Sequence, residues 1–129
     1  MDDVEGAVSL WLGQASSRAA FDQYLTISST EEGNSIPSQF QLDFRIRYMD
    51  DDFREAYFSD IQLYSVSKLL DGCSYDEVLI PRFAQLSGEF LSEPVNCFVL
   101  LYDFQYDATI KQQLDGPVAL RFVGAVSRI

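Results

Sequence analysis

The segment Asn96–Phe104, NCFVLLYDF, constrains the fold more than any other stretch of the chain. Successive side chains of a strand point to opposite faces. Here both sets are largely apolar, which marks a central strand of a sheet. Two further segments alternate. Val4–Leu12 sets Val8, Leu10 and Leu12 against Ala7, Ser9 and Trp11, and Gly13 ends the run. Val118–Val126 sets Val118, Leu120, Phe122 and Gly124 against Ala119, Arg121, Val123 and Ala125.

Between these strands lie helix signals. Ser16 or Ser17 can cap a helix that reaches Leu25, with Ala20, Phe21, Tyr24 and Leu25 as its apolar stripe. Residues Thr26–Pro37 form a turn-rich stretch around Gly33 and Asn34, closed by Pro37. Ser38 can cap a short helix carrying Phe40, Leu42 and Phe44. Residues 53–60 fit a strand or a helix equally well. A short helix covers Ser65–Leu70, and Asp71-Gly72 closes it. Ser74 and Glu77 have the spacing of a capping box, with Tyr75, Val78, Leu79, Phe83 and Leu86 as the apolar face behind them. Pro81 either kinks that helix or delays its start to about Ile80. The expected fold is α+β: one domain over residues 1–129, a small, mostly antiparallel sheet of three to four strands, and helices packed mainly on one side.

Charge bounds the function. Twenty Asp and Glu stand against nine Lys and Arg, with no histidine, for a formal charge of −11. A field of that sign repels nucleic-acid phosphates and anionic lipids, and it attracts cationic partners. Without histidine there is no Ser-His-Asp or Cys-His arrangement, and the commonest metal ligand is missing. No glycine-rich phosphate loop occurs. The reading is of a non-enzyme with no cofactor and no metal. The start, MDDVEG, is acidic and unlike a secretory signal, and no stretch approaches eighteen apolar residues. The expected location is the cytoplasm. Cys73 and Cys97 form no motif, and a disulfide between them has little support.

The candidate binding residues are the acids in exposed-looking stretches: Glu31 and Glu32, Asp50, Asp51 and Asp52, and Asp103 and Asp107. Tyr106 joins them, because alternation past Asn96 places Tyr102, Phe104 and Tyr106 on one face and Asp103 on the other. Aromatic groups beside acids suit a hot spot for a cationic protein. Tyr102, Phe104 and Trp11 also read as core, and Asp103 as a partner for Arg121 or Arg82.

VSLWLG at 8–13, FDQYL at 21–25, EEGNSIPSQFQLDF at 31–44, YMDDDF at 48–53, LLDGCSYDEVLIPRF at 69–83 and NCFVLLYDFQYD at 96–107 form an ordered series. It resembles a bacterial polymorphic-toxin immunity protein family (immunity protein 22-like, first catalogued as a domain of unknown function). The resemblance covers roughly residues 7–107 and leaves out the last strand. It implies a small cytoplasmic protein that binds and neutralises a cognate toxin domain. The positions carried over from the family are Trp11, Gly13, Ser35, Pro37, Phe40, Asp43, Phe44, Asp52, Phe53, Asn96, Tyr102, Phe104 and Tyr106, many of them holding the fold. Charge adds that the toxin is cationic, and a nuclease fits that description. The competing readings are a non-catalytic adaptor with another protein partner, a small carboxylate-dependent enzyme, and a DNA mimic.

Overall fold

A computed structural model describes residues 3–129; Met1 and Asp2, which open the acidic start, lie outside the described residues. In chain order the elements are β1 (Asp3–Ala15), α1 (Arg18–Leu25), a two-residue ribbon β2 (Ser28–Ser29) and β3 (Ser35–Ile36), and α2 (Gln39–Phe44). A single 3-10 turn (Asp51–Phe53) leads into β4 (Arg54–Ser65), followed by α3 (Val66–Leu70), α4 (Asp76–Ser87), β5 (Phe90–Phe104), β6 (Gln112–Gln113) and β7 (Val118–Ser127). The main sheet has the order β4-β5-β1-β7-β6, and each neighbouring pair is antiparallel. It has five strands, not three or four. The added strands are β4, which settles residues 53–60 as a turn and then a strand, and the short edge β6.

Helices cover both faces of this sheet, not one. Trp11, Cys97, Val99 and Leu101 pack with Phe21, Tyr24 and Leu25 of α1 and with Phe40 and Phe44 of α2. Val8, Leu10, Leu12, Phe98 and Leu100 pack with Val66, Leu69 and Leu70 of α3 and with Leu79 and Phe83 of α4. The cause lies in β5 itself. Its two apolar faces each need cover, since leaving one wet forfeits about 25 cal/mol for every Å² of apolar surface. The same division separates the cysteines: Cys97 belongs to the first layer and Cys73 to the second, and both are free thiols.

Local signals decide the helix ends. The Ser17 hydroxyl accepts the Ala20 N–H at 3.0 Å. Ser38 and Gln41 form a reciprocal capping box at the start of α2. At α4 the expected box fails. The N-cap is Tyr75, in a left-handed conformation with no side-chain cap bond, and the helix runs on through Pro81. The Ser74 N–H instead donates to Glu55 Oε1 at 3.0 Å.

Gly13 does not end β1. A Cβ there would stand 1.8 Å from the Ala119 carbonyl oxygen, so the glycine admits the close approach of β7 and the strand continues to Ala15. Register slips at two places along β1. On β7 the partners of Leu10 and Trp11 are Gly124 and Phe122, so one residue bulges and the alternation of this strand reverses. Phe122 therefore packs in the α1–α2 layer, while Val123 and Val126 pack in the α3–α4 layer. The second slip lies between β1 and β5, where pairing jumps from Val8–Tyr102 to Asp3–Phe104. Gly6 and Asp103 both take positive φ there, +84° and +56°.

An acidic, aromatic groove at one end of the sheet

The second slip makes the groove. Where β1 and β5 lose register, Asp3, Val4 and Glu5 stand off from Leu101–Phe104, and Tyr48, Met49, Asp50 and Phe53 close the opposite wall. The recess holds about 390 Å³. A second recess of about 370 Å³ adjoins it, lined by Asp52, Phe53, Arg54, Glu55, Ser74, Tyr75, Tyr102, Asp103 and Arg128. Phe53, Tyr102 and Asp103 belong to both. Among the described residues, the two recesses together present the carboxylates of Asp3, Glu5, Asp50, Asp52, Glu55 and Asp103 against the guanidinium groups of Arg54 and Arg128. Arg54 is directed to the Leu25 carbonyl at 2.7 Å. Three rings are open to solvent at this end: Tyr48 is 70% exposed, and Phe53 and Tyr75 are each 49% exposed.

The aspartate triplet opens one wall. Asp50 is the N-cap of the 3-10 turn, and its Oδ1 accepts the Asp52 N–H at 2.9 Å. This turn holds Asp51 and Asp52 in water. Oxygens of the three carboxylates lie within 4.8 Å of one another. Such a cluster offers a cation, whether an ammonium, a guanidinium or a hydrated metal ion, several acceptors at once.

Asp103 sits where the recesses meet. Its Oδ1 accepts the Gly6 N–H at 2.8 Å and a guanidinium N–H of Arg128 at 3.1 Å. The Gly6 N–H first, and Arg128 after it, hold this carboxyl below its ordinary range. Beneath it, the Tyr102 hydroxyl donates to Glu55 Oε1 at 2.6 Å and lies 3.0 Å from the Ser74 carbonyl. Burial, and then the Glu55 carboxylate, push that phenol upward, so it stays neutral.

The residues singled out from sequence divide. Asp50, Asp52 and Asp103 line the groove, and Asp51 stands on the same turn. Glu31 and Glu32 are exposed on the β2–β3 turn and line neither recess. Asp107 caps its own loop by accepting from the Thr109 N–H at 3.0 Å and from the Thr109 hydroxyl.

The face that alternation gave Tyr106 is corrected. It is 5% exposed, its hydroxyl donates to the Phe44 carbonyl at 2.6 Å, and its ring packs against Trp11 and Phe122. The alternation that placed it beside Tyr102 stops at Asp103. The left-handed residue reverses the faces, so Phe104 and Tyr106 join the α1–α2 layer while Tyr102 stays with the other. Ser9, buried in β1, holds the displaced segment: its hydroxyl donates to the Phe104 carbonyl at 2.8 Å and accepts the Tyr106 N–H at 3.0 Å. Asp103 pairs with Arg128, not with Arg121 or Arg82. Arg82 donates to the Ser127 and Ile129 carbonyls.

The sequence reading missed Tyr48, Glu55, Tyr75 and Arg128 as groove residues. Tyr75 had been counted into the apolar face of α4. The signal against that reading was its place directly after Gly72-Cys73-Ser74, where a chain turns before it coils.

Comparison with known families places the chain. The family model described as Immunity protein 22 matches residues 8–127. No curated protein and no solved structure matches. The match takes in β7, beyond the stretch in which the short motifs had been recognised. The chain belongs to the immunity protein 22 family.

Proposed function

We propose that this immunity protein 22 family member neutralises a cognate toxin domain by stoichiometric binding, and that the acidic groove receives a cationic face of that toxin. The observation that carries the reading is the coincidence of six carboxylates with three solvent-exposed rings around two adjoining recesses. The chain's overall charge of −11 steers a basic partner toward it and raises the association rate. Rings that become buried on contact then slow dissociation, which is where most affinity is set. A nuclease fits this surface because its substrate-binding face must itself be cationic to hold phosphates. Acids in the groove would stand where those phosphates go. The protein acts in the cytoplasm of the producing cell, by occlusion and without a reaction of its own. Among the described residues, no helix is long and apolar enough to cross a membrane.

The test is co-purification with the product of the adjacent gene, followed by titration of that product's activity. One-to-one loss of activity is expected, weakening as salt is raised. Phe53→Ala and the triple change of Asp50, Asp51 and Asp52 to Asn should each weaken binding. Removing an acid that becomes buried and paired should cost about 2–5 kcal/mol, and removing a rim acid far less. Glu31→Gln with Glu32→Gln should change little. Salt-independent binding, or equal small effects at every acid, would move the interface away from the groove.

A further inference from the structure

Arg128 is the one guanidinium that enters the groove from the C-terminal side, and its contacts describe a binding site. Its backbone is tied by the N–H to the Gly6 carbonyl at 2.8 Å. Its side chain lies over the Tyr75 ring, 5.1 Å from the centroid, and reaches Asp103 Oδ1 at 3.1 Å. Tyr75 is braced by Tyr102, with ring centroids 6.1 Å apart. Tyr75 and Asp103 both hold φ near +60°, at +61° and +56°, a region that aspartate tolerates and a residue as bulky as tyrosine seldom enters. Local strain of this kind is kept where the surroundings enforce it, and here it presents one ring face and one carboxylate to the same cation.

The fit of Arg128 is incomplete. A guanidinium binds a carboxylate best through two parallel N–H···O bonds. Arg128 reaches only Oδ1, which already accepts from Gly6, while Oδ2 of Asp103 accepts no hydrogen bond among the described residues. Both partners stay partly in solvent, with side chains 22% and 31% exposed. An ion pair of this exposure is weakly held, and only the side chain must swing for it to open.

We infer that Tyr75, Tyr102 and Asp103 form an arginine subsite, which Arg128 fills in the free protein and which an arginine of the partner takes over on binding. The inference rests on the toxin-binding reading for the identity of the partner. The recognition of guanidinium does not rest on it. Arginine is specified over lysine because the site offers a ring face to stack on and a carboxylate with a free second oxygen.

The first experiment therefore uses no toxin. Arg128→Gln protein is titrated with N-acetyl-arginine amide, and separately with N-acetyl-lysine amide, while the Gly6 amide and the Tyr75 ring are followed by NMR. Saturable shifts with the arginine probe are expected at both reporters, with little response to lysine. Binding in the wild type should be roughly fivefold weaker, the extent to which an exposed ion pair can compete. Adding Asp103→Asn should abolish the response. Equal shifts in wild type and Arg128→Gln, or equal response to both probes, would overturn the proposal. Should Arg128→Gln fold poorly, Arg128→Lys keeps the charge but can neither stack nor fork, and must still take up the arginine probe better than the wild type.

With the toxin, Arg128→Gln should bind about two- to fivefold tighter, the competition now removed. Lys111→Gln makes the same change in charge but lines neither recess, so it should give less. Equal gains would show general charge and overturn the competition. A protein that binds the arginine probe but no adjacent toxin would refute the immunity reading and leave the subsite standing.

Discussion

Replacing Asn96 by alanine should release the end of β1 from β5. Asn96 Oδ1 accepts the Ala15 N–H at 2.8 Å, and its Nδ2 donates to the Ala15 carbonyl at 2.9 Å. One side chain thus stands in for a backbone pair at the point where β1 hands over to α1. Both Asn96 and Ala15 are buried. The alanine variant loses two hydrogen bonds and leaves a buried donor and a buried acceptor facing a void. Net loss of a hydrogen bond costs about 0.5–1.5 kcal/mol, and a buried group left without a partner costs about 1–3 kcal/mol. The sum for this site, with some rehydration of Ala15, is about 2–4 kcal/mol. Against a total stability of about 5–15 kcal/mol, that loss is readily measured.

Urea unfolding at pH 7 should show a lower midpoint with an unchanged slope. Asn96→Asp sharpens the test. Its second oxygen would face the Ala15 carbonyl, where a donor is needed, so the charged form is disfavoured in the fold and its pKa rises above the unfolded value of about 3.9. Protonation restores a donor. The deficit against wild type should therefore be smallest below about pH 4 and grow as pH rises from there toward the folded pKa. An alanine variant within about 1 kcal/mol of wild type, or an aspartate variant whose deficit ignores pH, would refute the reasoning.

Tyr106→Phe should cost about 1–3 kcal/mol of stability, because the Phe44 carbonyl and the Ile110 N–H both lose the hydroxyl. Its toxin affinity should match wild type; a specific loss of affinity would return Tyr106 to the interface. Burial pushes both thiols up to about 12, so a thiol reagent at pH 8 should find none in the native protein and two in denaturant. Rapid reaction of either in the fold would contradict that burial. Asp103 is held below its unfolded value by Gly6 and Arg128, so its contribution is present above that value and is lost as pH falls through the folded one. Asp103→Asn should flatten the acid-side decline in melting temperature over that window while lowering stability at neutral pH. An unchanged acid slope would mean the pairing has no energetic weight.

The strands β1, β5 and β7 and the caps of α1 and α2 were legible because their signals are local. Apolar residues at nearly every position of Asn96–Leu101 mark a strand inside a sheet, and Ser17 and Ser38 each stand one residue before the helix they cap. The two-sided covering was implicit in the same apolar run and went unread, since helix signals do not say which face a helix returns to. The edge strand β4 was ambiguous because exposure does not alternate over its first half: Ala56 and Tyr57 are both exposed, and Phe58 and Ser59 are both buried.

The groove was half legible for a related reason. Sequence identifies acids that must be solvated, and of those lining the groove it found Asp50, Asp52 and Asp103 but not Asp3, Glu5 or Glu55. It does not separate a ring in water from a ring in the core, so Tyr48, Phe53 and Tyr75 carried no mark. Parity was the other failure. Alternation holds only while φ stays extended, and one left-handed residue at Asp103 sends Tyr106 into the core and leaves Tyr102 beside Glu55. The same residue supplies the carboxylate at the junction of the two recesses. The place where the pattern breaks and the place where the groove forms are one event. The slip of register opens this end of the sheet, so the irregular positions of β1 and β5, Gly6 and Asp103, merit mutation before any regular one.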